Sequence, residues 1–300
     1  IRTSERNYFR KLSIRSALLY PPMKEKRIIV TGGGGSIGSE IVRQLAPDNK
    51  IFILDNNETA TFDLTEELKQ DGHWVNCRVG DIRDLRTVED VFSDFKPQII
   101  FHAAAYKHVT PMEHYPIEAI QTNIIGTWNV LSTAKKWSST EKFVFISTDK
   151  VVNSSSIMGA TKKVGEIMVK NQGGVVVRFG NVMGSRGSVI PLWQNQIDRG
   201  KPLTITDPRM ERFMMSTAQA VGLVIKASEM PQDGRIIILD MGQRINILNL
   251  AKSIVERSGR EIELKEIGIR AGETLIEELM TEEEGIKITQ PKEALNLIRL

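Results

Sequence analysis

The sequence predicts an α/β fold built on an open, doubly wound parallel sheet, with a smaller region toward the C-terminus. Three observations predict it. Short, nearly continuous β-branched runs recur along much of the chain. Longer helix-like segments lie between them. A glycine-rich turn joins the first run to the first helical segment. Alternation of this kind covers both faces of a parallel sheet with helices, so its strands read as apolar throughout.

Residues 1–24 stand apart from this rhythm. They mix Arg2, Arg6, Arg10, Lys11 and Arg15 with Tyr8, Phe9, Leu12, Leu18 and Leu19, and Pro21 and Pro22 stop any helix there. An arm packed on its own body or on a neighbouring subunit is favoured over a membrane-surface segment, although basic plus apolar composition suits both. The strands follow as "RIIVT", "KIFILD", "WVNCRVGD", "QIIFHAAA", "KFVFIST", "GVVVRFGN" and "RIIILDMG". Helical patterns fill residues 36–45, 113–136 and 158–170. After Asn181 the rhythm loosens into loops and short elements. This divides the chain into an arm (1–24), a sheet domain (25–180 plus 216–242) and a smaller region (181–215 plus 243–300).

The bulk composition narrows the class. A chain of 300 residues suits one large or two intimate domains. Its hydrophobic fraction of 41% and charged fraction of 26% are those of a globular protein. The net charge of +3 is not gathered into a sustained basic run, so nucleic acid is a poor partner. Cys77 is the sole cysteine, which excludes an internal disulfide and fits a reduced, cytoplasmic home. No apolar run approaches the roughly 20 residues that span a bilayer. His73, His102, His108 and His114 lack metal-site spacing, and no metal is expected.

The turn "TGGGGSIGSE" places Gly32, Gly35 and Gly38 between strand and helix, with Ser36 and Ile37 opening the helix. Glycines there let backbone amides approach a pyrophosphate, and the helix N-terminus favours its charge. This Rossmann-type context makes the motif credible. Asp55 ends the second strand, where an acid binds an adenosine ribose and repels a 2′-phosphate, favouring NAD over NADP. Asp81 and Ile82 follow the third strand and could flank adenine; Ala103, in "HAAA", leaves room for a cofactor. Helix capping is the alternative role for Asp55 and Asp81.

With these pieces in order, the chain resembles the extended short-chain dehydrogenase/reductase superfamily, and within it the nucleotide-sugar 4,6-dehydratases of bacterial polysaccharide biosynthesis. The resemblance runs from about Lys26 to the end of the chain. It rests on "TGGGGSIGSE", "HAAAYKHVTPME", "TNIIGTWNV", "STDKVVNSSSIMGATK", "RFGNVMGSRGSVIP", "ERFMM", "LDMG" and "RAGETLIEEL". Met158 stands where most relatives carry a catalytic tyrosine, as in the branch that retains configuration at carbon 5. Those relatives are usually large membrane proteins, and residues 1–24 would match the linker after their membrane spans.

The resemblance implies a hydro-lyase that takes UDP-N-acetylglucosamine to a 4-keto-6-deoxy sugar nucleotide. NAD would accept hydride from carbon 4 and return it to carbon 6 after water is lost across carbons 5 and 6. It assigns Asp149 as acid at the 6-hydroxyl and Lys150 as base at carbon 5. Such roles call for an acid raised by burial and a lysine lowered by desolvation and nearby cations. Adjacent strand residues point to opposite faces, so the chain must bend after Thr148 for both to reach one sugar. Thr148 and Lys162 are expected to replace the tyrosine's proton relay, Lys162 also holding the nicotinamide ribose, while Met158 shapes the pocket.

Diphosphate recognition wants cations in fork geometry. Asn181, Arg186, Arg212 and Arg270 lie in family-like motifs, Arg212 and Arg270 being the first choices for UDP contacts. Glu273 would bind a ribose or orient Arg270. Lys107 and His108 follow the fourth strand and would face the sugar or its phosphate. Asn123 reads as a helix-kinking or water-holding residue. Pairing of the long helices in a homo-oligomer is expected from the superfamily. The rival readings are an inverting dehydratase or UDP-sugar 4-epimerase, both disfavoured by the missing tyrosine, and a non-catalytic NAD-binding regulator or scaffold.

Overall fold

The computed structural model describes residues 23–231, 233–286 and 297–299. The predicted arm 1–24 lies almost wholly outside them. The central sheet contains β1 (Arg27–Thr31), β2 (Lys50–Asp55), β3 (Asn76–Val79), β4 (Ile99–His102), β5 (Lys142–Ile146), β6 (Val175–Arg178) and β7 (Ile236–Leu239). Each falls within a run singled out in the sequence. These strands are parallel, and β8 (Leu297–Arg299) pairs antiparallel with β7. The spatial order is β8-β7-β6-β5-β4-β1-β2-β3. The last described residues thus return to the sheet, although residues 243–300 were expected in the smaller region.

Successive β1 residues serve opposite cores, because side chains alternate across a strand. Ile28 and Val30 join Ile41, Leu45, Ile53, Val144 and Val221 on one face. Ile29 joins Leu54, Val88, Phe92, Val130 and Phe145 on the other. Burying each such side chain contributes roughly 1.5–3 kcal/mol. Helices α1 (Ser36–Leu45), α2 (Glu58–Gln70), α3 (Leu85–Phe95), α4 (Thr127–Lys136), α5 (Ile157–Asn171) and α6 (Thr217–Glu229) cover the sheet. A separate cluster of Trp193, Ile197, Leu203, Ile205, Met210 and Ile247 supports the smaller region.

The helix expected over 113–136 starts later and is not uniform. A short helix, Val109–His114, precedes it, and Tyr115 breaks the path with φ −125°. Pro116 then occupies the first turn of Pro116–Ile120, where its missing N–H costs nothing. Gln121–Gly126 is a π turn, and α4 continues from it. Asn123 lies inside the π turn: fully buried, it accepts from the Tyr106 N–H at 2.9 Å and donates to the Tyr106 carbonyl at 3.0 Å. Tyr115, Ile117 and Trp128 remain exposed along this stretch, as does Ile167 on α5.

The sheet reverses its winding between β1 and β4, which opens a crevice at the carboxyl ends of the strands. The glycine turn, the loop after β4 and the turn after β5 all meet there.

Candidate active site

Gly32 follows β1 with φ +70°, a conformation that suits glycine, and a Cβ there would lie 2.5 Å from the Ala104 nitrogen. The turn closes through Gly35 N–H donating to the Gly32 carbonyl at 3.0 Å. Gly32, Gly35, Ser36, Ile37, Gly38 and Ala103 line the larger cavity, of about 840 Å³. Asp55, Asp81 and Ile82 line an adjoining one of about 230 Å³. Asp55 accepts from the Gly34 and Asn57 N–H groups, each at 2.8 Å, and so ties the glycine turn to the end of β2. Asp81 is gripped by Arg83 at 2.8 Å; burial opposes ionisation, but Arg83 wins and holds the carboxyl below its usual range. The helix caps are Asn57 and Asp84, not Asp55 and Asp81.

The bend required after Thr148 is present. A single 3-10 turn, Asp149–Val151, follows β5, and its first residue is fastened by Asp149 N–H donating to the Phe179 carbonyl at 3.0 Å. The Lys150 carbonyl packs so tightly on α5 that a Cβ at Gly159 would fall 2.1 Å from it. Thr148 Oγ1 donates to Asp149 Oδ1 at 3.0 Å, and Lys150 Nζ donates to the same oxygen at 3.0 Å. Hydroxyl, carboxyl and amine are thus joined at one end of the cavity.

Glu277 completes this cluster, and sequence reasoning missed it. Its Oε1 lies 3.0 Å from Lys150 Nζ and 3.2 Å from Arg212 Nε. Asn181 Nδ2 donates to Oε2 at 3.1 Å, and Asn181 Oδ1 accepts from Lys150 at 3.2 Å. Burial, with the Glu277 charge nearby, raises Asp149 to about 6 despite the attraction of Lys150. Among the described residues no donor reaches Asp149 Oδ2. Lys150 departs from expectation. Burial lowers it, but the Asp149 and Glu277 carboxylates outweigh burial and hold it above its ordinary value. The cations expected to depress it are outnumbered by anions in direct contact.

Lys162 lies one turn after Met158 on α5, its Nζ donating to the Ile146 carbonyl at 2.6 Å. Burial lowers it to about 7. Met158 is buried against Met112 and Ala119 and lines the cavity. Beneath the sheet ends, His102 bridges Thr31 and Thr127; burial, then Lys162, drives it to about 3, so it stays neutral.

Arg186 takes a place the sequence did not suggest. Expected on the substrate, it lines the larger cavity and also reaches the glycine turn, donating from its guanidinium to the Gly34 carbonyl and from its N–H to Ser36 Oγ at 3.0 Å. Lys107 Nζ donates to the Arg186 carbonyl at 2.8 Å. The 185–187 segment therefore crosses between the two cavities, and His108 packs against Gly187. Burial, followed by neighbouring cations, lowers both Lys107 and His108. Arg212, expected on UDP, lines the larger cavity and donates to the carbonyls of Glu211, Leu275 and Thr274 at 2.7–2.9 Å. It clamps the segment that carries Glu277. Arg270 is held by Glu273 at 2.6 Å on the cavity wall, half exposed.

The glycine turn, the doubly wound parallel sheet and the Thr-Asp-Lys turn after β5 are together the features of an extended short-chain dehydrogenase/reductase. The chain belongs to the polysaccharide biosynthesis protein family, whose model matches residues 28–298. It is 43% identical to the capsular polysaccharide biosynthesis protein CapD of Staphylococcus aureus over 89% of this chain and 47% of that protein. It thus spans about half the length of that relative. A UDP-glucose 4-epimerase of Rickettsia canadensis is 36% identical, over 88% of this chain and 80% of the epimerase. The solved structure of Pen from Bacillus thuringiensis superposes with a TM-score of 0.86 at 34% identity, covering 92% of this chain and 89% of Pen. No helix among the described residues is long and apolar enough to cross a membrane.

Proposed function

We propose that the chain is an NAD-dependent UDP-N-acetylglucosamine 4,6-dehydratase that retains configuration at carbon 5. The observation that carries this reading is the Thr148–Asp149–Lys150 turn, with its hydroxyl and amine both on Asp149 Oδ1 and a methionine, not a tyrosine, on the facing helix.

The glycine turn fits a dinucleotide: its close packing leaves no room for a Cβ at Gly32 or Gly38, and a helix N-terminus opens beside it. Solved structures of an epimerase and of a dehydratase with NAD bound share this fold at 23% and 22% identity. Gly35, Ser36, Ile37, Asp55 and Lys162 would hold the cofactor. When bound, NAD supplies the hydride acceptor for carbon 4 and the hydride donor for carbon 6.

The chain's own residues then move protons. Thr148 takes the proton of the 4-hydroxyl and passes its own to Asp149, along the 3.0 Å hydrogen bond between them. Asp149, now an acid, delivers that proton to the 6-hydroxyl. Lys150 removes the proton of carbon 5, whose electron pair forms the carbon 5–carbon 6 double bond as water departs. Lys150 later returns a proton to the same face, which retains configuration. Protonation of Asp149 also removes one of the two anions that hold Lys150 charged, so oxidation at carbon 4 readies the base.

Arg270, Lys107 and His108 would meet the diphosphate end of the substrate, and a homo-oligomer would cover the exposed helical faces. The test is incubation with UDP-N-acetylglucosamine without added hydride donor. Loss of one water in the product mass and a new 6-methyl signal are expected, with carbon 5 coupling of the retained isomer. The Rickettsia relative favours a second reading, a UDP-sugar 4-epimerase, for which product mass would equal substrate mass.

A further inference from the structure

Lys150 Nζ has three protons to donate and three oxygens around it: Asp149 Oδ1 at 3.0 Å, Glu277 Oε1 at 3.0 Å and Asn181 Oδ1 at 3.2 Å. This is the coordination of an ammonium. An ammonium cannot take a proton from carbon 5, so one of its protons must leave first. Resting on the dehydratase reading above, the choice of acceptor follows by elimination. The Asn181 amide oxygen is not a base at any working pH. Asp149 is committed to the proton that comes through Thr148. Glu277 remains.

We propose that Glu277 stores the proton that Lys150 sheds before it acts at carbon 5, and gives it back when turnover ends. The cycle balances. It begins with Asp149 and Glu277 as carboxylates and Lys150 as ammonium. Lys150 hands a proton to Glu277 and becomes an amine, while Asp149 gains the proton from the 4-hydroxyl. The amine takes the carbon 5 proton, and Asp149 gives its proton to the departing water. Lys150 returns its proton to carbon 5, and Glu277 returns the stored one. The starting charges are restored.

Burial raises the Glu277 carboxyl, but Lys150 and Arg212 outweigh burial and hold it below its usual range, so a proton taken from Lys150 is held briefly and handed back readily. Glu277 is almost fully buried. Asp149 and Lys150 face it from the catalytic turn, and Arg212 faces it from Glu211–Arg212. Arg244 donates to its carbonyl at 3.1 Å, and Lys107 stands beyond Lys150. Arg212 fixes the carboxylate in place through Oε1, while Asn181 holds Oε2, so the group does not swing away during turnover. Glu277 acts through Lys150 and is in that sense a positioning residue with a proton to hold.

The test compares kcat against pH for the wild type, Glu277→Gln and Glu277→Asp, with bound NAD and thermal stability as checks on folding. Glutamine fills the same space but stores no proton, so Lys150 must then lose its proton to solvent. Turnover of Glu277→Gln should fall by about 10²-fold at pH 7 and climb with pH more steeply than wild type. Glu277→Asp should be slower but keep the wild-type profile. An unchanged rate in Glu277→Gln, or an equal loss at every pH, overturns the inference. If Glu277→Gln does not fold, a steepened profile in Glu277→Asp overturns it instead. Absence of dehydration by the wild type would overturn the proposed function itself, a separable result.

Discussion

Arg178 and Glu166 meet inside the molecule, NH2 to Oε2 at 2.8 Å and Nε to Oε1 at 3.0 Å, each side chain no more than 1% exposed. Glu166 also accepts from Ser147 Oγ at 2.7 Å, one residue before the Thr148–Asp149–Lys150 turn. Arg178 also reaches Glu284 at 2.8 Å. The pair thereby fastens strand β6, helix α5 and the segment after Glu277 to one point. Arg178→Met should destabilise by about 3–5 kcal/mol, because it strands the buried Glu166 charge. Urea unfolding measures it, and a loss below about 1 kcal/mol would show that the network is dispensable.

Asp149→Asn and Lys150→Ala should each lower dehydration by about 10²–10⁴-fold. Neither touches the glycine turn, so bound NAD should be unchanged. Dehydration at the wild-type rate in either variant would remove these residues from the mechanism.

Lys162 ties stability to pH. Its value is about 7 in the folded chain against 10.5 when exposed. Between those values the unfolded chain binds more protons, so stability rises with pH across the window and is lost as pH falls toward 7. The slope is at most about 1.4 kcal/mol per pH unit. Lys162→Met should flatten it and gain stability at pH 7. Denaturant midpoints at pH 7, 8 and 9 decide; parallel curves for the two proteins would contradict the assignment.

Met158 is packed against Met112 and Ala119 with 2% of its surface exposed. Met158→Tyr must overfill that site, at about 1–3 kcal/mol. Turnover should not rise, since Thr148 already has its outlet in Asp149. A large gain would mean that the methionine is a defect.

Arg186 crosses from the smaller region to Gly34 and Ser36, between the two cavities. Arg186→Ala should release NAD on dialysis while wild type keeps it, read by absorbance of the denatured protein. Equal retention would reduce Arg186 to a surface strap.

Most of the sheet was legible because buried parallel strands are apolar. The edge strand β3, with Asn76 and Arg78 in it, is largely exposed and showed mainly by its place in the alternation. The glycine turn was legible because close backbone packing there leaves no room for side chains. The bend after Thr148 was legible only through the family resemblance, which gives the adjacent Asp149 and Lys150 work on one sugar. Glu277 was not legible. In "TLIEELM" it sits beside an exposed twin, Glu278, and only the fold decides which of the two turns inward. Arg178 offered a signal that went unused: a charge inside "VVVRFG" has to find a buried partner. The backbone partners of Arg212 and Arg186 were not legible, because an arginine near a ligand site satisfies carbonyls as readily as phosphates.

The π turn at Gln121–Gly126 has a consequence for how this helix tolerates change. A π turn accommodates one residue more than an α turn, so everything after it is out of phase by about 100° with a plain α-helix. That phase brings Asn123 to the Tyr106 backbone and Thr127 to His102. Deleting a single residue there would leave a smoother helix with every later side chain facing the wrong neighbour. The irregular turn behaves as an inserted letter that the rest of the frame has come to depend on.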